Sequence, residues 1–91
     1  MVVKRRSLTI REENDKKIQH IRSQFLYSNI DIDYTTMVNI FIELGDMILR
    51  PGTYNMTNII DIFKKYLGDI DNDIMLYVLN DYKNKNVREH E

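Results

Sequence analysis

Apolar and polar positions alternate with two different periods along this chain. From Ser7 to Arg11 the period is two: Leu8 and Ile10 share one side, and Ser7, Thr9 and Arg11 share the other with Arg5. That alternation predicts a short β-strand. From Glu12 the period lengthens. Ile18, Ile21 and Phe25 recur at helical spacing and predict a first helix to Tyr27, with Glu12, Glu13 and Asp15 placed favourably in its first turn. Asn29, which tolerates a left-handed backbone, is the expected stop. Asp33 then reads as an N-cap. It opens a second helix from Tyr34 to Leu49 with two adjoining apolar stripes: Met37, Ile40, Phe41, Leu44 and Ile48, and beside them Val38, Ile42 and Leu49. Arg50-Pro51-Gly52 breaks the pattern. A third helix is expected over Met56–Leu67, closed by Gly68, and a fourth from the Asp71 cap to Tyr82. The polar tail from Lys83 is expected to fray.

A lone strand has no ladder partner within its own chain, and unpaired backbone groups need one. A second copy of the same segment would supply it. The breadth of the second helix argues the same way, because a helix apolar on two stripes must be covered on most sides. The expected fold class is therefore mainly α: a homodimer with one intermolecular, two-stranded antiparallel β-ribbon, followed by two further helices. Residues 1–50 form the dimerising core, with Leu8, Ile10, Met37, Ile40, Phe41 and Leu44 at its centre. Residues 51–91 form a helical extension that offers a route to higher oligomers.

Composition narrows the chemistry. The chain of 91 residues has no Cys, which excludes disulfides and thiolate metal sites and makes a cytoplasmic setting the expectation. No apolar run approaches the roughly 20 residues of a membrane span, and no apolar stretch follows the early basic residues as in a signal peptide. The net charge is −1, unevenly spread: residues 1–30 hold seven bases against three acids, and the remainder holds six against eleven. A basic front fits a polyanionic partner and an ordinary charged tail equally well. Asp69-Ile70-Asp71-Asn72-Asp73 suggests a calcium loop but has Ile74 where the loop needs Gly and Asn80 where it needs an acid. His20 and His90 stand apart from any nucleophile or ligand set. No enzyme activity, cofactor or metal site is expected.

The run Arg6-Ser7-Leu8-Thr9-Ile10-Arg11, followed by Glu12-Glu13-Asn14-Asp15-Lys16-Lys17-Ile18 and by Asp33-Tyr34-Thr35-Thr36-Met37-Val38-Asn39-Ile40-Phe41-Ile42-Glu43-Leu44, resembles the ribbon-helix-helix repressors of the Arc and MetJ type. The wealth of Ile, Asn, Lys and Tyr resembles that of small regulators of archaeal viruses and plasmids. The resemblance implies a transcriptional regulator, a repressor of that type. It would bind double-stranded DNA sequence-specifically as a homodimer, at a palindromic or pseudo-palindromic site, in the host cytoplasm if viral. It places Ser7, Thr9 and Arg11, with Arg5, on base edges in the major groove. It also implies phosphate contacts from Tyr34, Thr35 and Thr36 at the N-terminus of the second helix, with Lys4 and Arg6 adding to them. Asp33 departs from the family pattern there. The competing expectation is a protein–protein module, antitoxin-like or binding a host factor of a virus, that works through the C-terminal helices.

Overall fold

The computed structural model describes residue 5 and residues 7–89. The described residues form four helices: α1 Glu12–Tyr27, α2 Tyr34–Leu49, α3 Met56–Leu67 and α4 Asn72–Glu89. α1 packs against both α2 and α4, and α2 packs against α3. One core joins them. Ile18, Ile21 and Phe25 from α1 meet Met37 and Ile40 from α2, and Ile60 and Phe63 from α3 and Met75 and Val78 from α4 complete it. Phe25 and Phe63 lie ring to ring at 5.3 Å between centroids.

The helix ends follow local chemistry. At the start of α1 the Arg11 carbonyl accepts from the amides of Asn14 and Asp15 at 3.0 and 2.9 Å. Asn29 takes φ 62°, and the Ile30 amide turns back to the Phe25 carbonyl, which closes α1 in a left-handed cap. Arg22 Nε donates to the Ile32 carbonyl at 2.7 Å and ties the connection to α1, while Ile32 itself is buried. The Asp33 carboxylate caps α2 by accepting from the Thr36 amide. Asn55 caps α3 through the Asn58 amide, and Gly68, at φ 80°, ends that helix.

Two expectations are corrected here. The described residues contain no β-strand, so the fold is a small all-α domain of four helices. The intermolecular β-ribbon, and with it the ribbon-helix-helix resemblance, does not hold. The physical reason lies in how the segment before α1 is anchored. Ile10 packs onto the core, but Leu8, on the same side of the alternation, stays 67% exposed. With one apolar anchor and no ladder, residues 7–11 are an extended lead-in that runs directly into α1. The second correction concerns the end of the chain: helical backbone continues to Glu89, past Tyr82, where a frayed tail was expected from Lys83.

Candidate functional site: the exposed apolar face of α2

The residues expected to read bases are all solvent-exposed on the lead-in: Arg5, Ser7, Thr9 and Arg11. Arg11 lies 3.7 Å from Glu13 in an exposed ion pair. Without a ribbon there is no scaffold to carry these side chains into a major groove as a unit, so the sequence-specific DNA-binding regulator is corrected along with the fold. Lys4 and Arg6 fall outside the described residues.

At the N-terminus of α2, where a phosphate contact was expected, the Thr36 amide is taken by Asp33 at 2.7 Å. The Thr36 side chain, and after it this amide, holds the Asp33 carboxyl below its usual pKa. Tyr34 is half-buried, and a hydrogen bond to the Asp15 carboxylate raises its phenol pKa. The exposed Thr35 gives its carbonyl to Asn39. Asp33, and Asp15 through Tyr34, thus bring carboxylates to this end of α2, with the Arg22 cation close enough to act on both Asp33 and Tyr34.

The expected dimer-core residues separate into two groups. Met37 and Ile40 are fully covered by the chain's own helices. Phe41 and Leu44 are half-buried at the margin of the core. Beyond that margin the apolar surface continues into solvent: Ile42 and Ile48 are each 61% exposed and Leu49 is 84% exposed. With roughly 100° of rotation per residue, Val38, Phe41, Ile42, Ile48 and Leu49 fall on a single arc of about 120° centred on Gly45. The Asp46–Arg50 ion pair, 3.0 Å long, borders the stripe on its polar side. Gly45 is exposed, and a β-carbon built there meets nothing within 4 Å. The monomer gives no steric reason for glycine in the interior of a 16-residue helix.

On the flank toward α3, Glu43 Oε1 accepts from Lys65 Nζ at 2.9 Å. Lys65, and after it the Tyr66 hydroxyl, lowers the Glu43 pKa. The second oxygen, Oε2, is buried without a hydrogen-bond partner. This contact fixes α3 against α2 and leaves the stripe open.

Elsewhere, Tyr27 and Tyr77 stand exposed beside a cleft of about 300 Å³ shared with Gln24, Val78 and Asp81. The Asp69–Asp71 link and the first turn of α4 border an open depression, and among the described residues no group of His, Cys, Asp or Glu is placed to hold a metal. Among them, too, no helix is long and apolar enough to cross a membrane.

The apolar breadth of α2 is legible in the sequence, and Gly45 at its centre is the element that sequence reasoning missed. Its signal was an unexplained helix-weakening residue inside an otherwise apolar face. No family model matches the chain, nor does any curated protein or solved structure.

Proposed function

We propose that this chain is an interaction module that acts by association rather than by catalysis, and that it self-associates as a homodimer through the exposed face of α2. The observation that carries the proposal is that Ile42, Ile48 and Leu49 stand exposed on one arc of α2, joined by half-buried Phe41, while the opposite face is already buried. Scattered exposed hydrophobics are ordinary on protein surfaces; a contiguous row along one helix marks an interaction surface.

The magnitudes favour a reversible assembly. Summed over their exposed fractions, Ile42, Ile48 and Leu49 leave the equivalent of about two side chains uncovered per copy. At roughly 1.5–3 kcal/mol per buried side chain, covering them in two copies contributes roughly 6–12 kcal/mol. Association costs roughly 4–15 kcal/mol. The terms are comparable, which favours a concentration-dependent dimer.

Sedimentation equilibrium over a wide concentration range tests this. The expected result is a monomer–dimer equilibrium that Leu49→Asp or Ile42→Asp abolishes while the helical circular dichroism is kept. A monomer at every concentration, or variants that dimerise like the parent, would overturn the proposal.

A further inference from the structure

The stripe on α2 has an internal symmetry that bears on how two copies would meet. Measured from Gly45, the apolar positions nearest it lie at −4 and −3 (Phe41, Ile42) and at +3 and +4 (Ile48, Leu49), with Val38 at −7 extending one end. The inner four are symmetric in spacing about Gly45, and all are apolar. A two-fold axis lying in the contact plane, perpendicular to α2 at Gly45, sets residue 45+k of one copy level with residue 45−k of the other. Ile48 then faces Ile42, Leu49 faces Phe41, and each pairing recurs in reverse, as an isologous contact requires.

We infer that the partner of this face is a second copy of the same chain, crossing antiparallel with Gly45 at the two-fold axis. The inference rests on the self-association proposed above and adds its geometry. Two features of the chain agree with it, and one general property of antiparallel helices adds to them. Gly45 has open space in front of it, so at the axis the two backbones approach closely where a side chain would hold them apart. The Asp46–Arg50 pair neutralises the charged border within each chain, so closing the contact buries no unpaired charge. Antiparallel helices set their macrodipoles head to tail, the more favourable arrangement for close neighbours.

Cross-linking tests the geometry, and the chain has no native Cys to confuse it. Ile42→Cys and Ile48→Cys protein are mixed and oxidised above the dimerisation midpoint, with each variant oxidised alone as control. In the antiparallel contact the mixed 42–48 disulfide exceeds either self-linked product by about ten-fold. Two copies of position 42 are offset by about 9 Å along the helix axis, beyond the reach of a disulfide. Gly45→Cys links to itself. Self-linked Ile42→Cys as the main product indicates a parallel crossing and overturns this inference while leaving self-association standing. A dimer that Leu49→Asp dissociates, yet that forms neither the 42–48 nor the 45–45 link, does the same. A protein that sediments as a monomer throughout overturns the proposed function and this inference together.

Discussion

Gly45→Ala separates the stability of the monomer from that of the assembly, because the two are expected to change in opposite directions. In the isolated chain the new methyl group meets nothing within 4 Å, so no clash opposes the substitution. Replacing a helix-interior Gly by Ala then stabilises the helix by roughly 0.8–1.0 kcal/mol. For a domain of this size that raises Tm by roughly 4–8 °C. In the dimer two methyl groups meet at the axis and push the helices apart, and overpacking of this kind costs roughly 1–3 kcal/mol. The dimer dissociation constant therefore rises roughly 5- to 150-fold. The melt must be run well below the dimerisation midpoint, since association stabilises the folded state by mass action and would hide the helical gain. Sedimentation on the same samples supplies the second number. A higher Tm with an unchanged or tighter dimer would refute the placement of Gly45 at the contact, and an unchanged Tm would refute the account of the monomer.

Three further outcomes follow from the core, the caps and the interhelical ion pair. Phe25→Ala empties a fully buried site against Phe63 and should cost about 3–5 kcal/mol in urea denaturation; a loss under 1 kcal/mol would mean that the site collapses freely. Asp33→Ala removes the acceptor of the Thr36 amide and should cost about 1 kcal/mol, with Asp33→Asn restoring most of it. Lys65 lowers the Glu43 pKa, so the Glu43 contribution is present above the unfolded glutamate pKa and is lost as pH falls through the folded value. The Lys65 pKa is raised by Glu43, so its contribution is full below the unfolded lysine pKa and is lost as pH rises through the folded value. Lys65→Met should flatten both limbs of a stability–pH profile, though only slightly, because the pair is partly exposed. A profile identical to the parent's would exclude the pair as a contributor.

Helix positions were legible because period and punctuation agree. Asn29, Asp33, Pro51-Gly52 and Gly68 each act through the backbone conformation or hydrogen bond expected of their residue type, and these signals are local. The extended segment was not legible for the opposite reason. Leu8 and Ile10 supply only two apolar positions in alternation, and a lead-in anchored by Ile10 alone produces the same pattern as a strand. Pairing is a property of a partner segment, and the described residues offer none. The helical reach of α4 to Glu89 was missed because the residues after Tyr82 are polar but for Val87, while polarity alone does not stop a helix that has already nucleated. Asn55 was overlooked as a cap because Thr53, Asn55 and Thr57 crowd one short stretch, and the Asn55 side chain alone is shown accepting from a free amide.

The face of α2 shows how far a periodic pattern can go. Helical spacing says which residues share a side and leaves open what covers them. Met37 and Ile40 were assigned to a partner and turn out to be covered by the chain's own helices, while Ile42 and Leu49, read as a secondary stripe, are the ones left open. Three local choices on this face run against what a solitary monomer needs: a 61% exposed isoleucine at position 42, an 84% exposed leucine at position 49, and a glycine between them with room for a side chain. Polar residues at the first two positions and alanine at the third would cost the core nothing. Conflicts between local preference and the monomer fold concentrate where a sequence serves something beyond that fold. Here all three are relieved by one event, the close approach of a second apolar helix at Gly45.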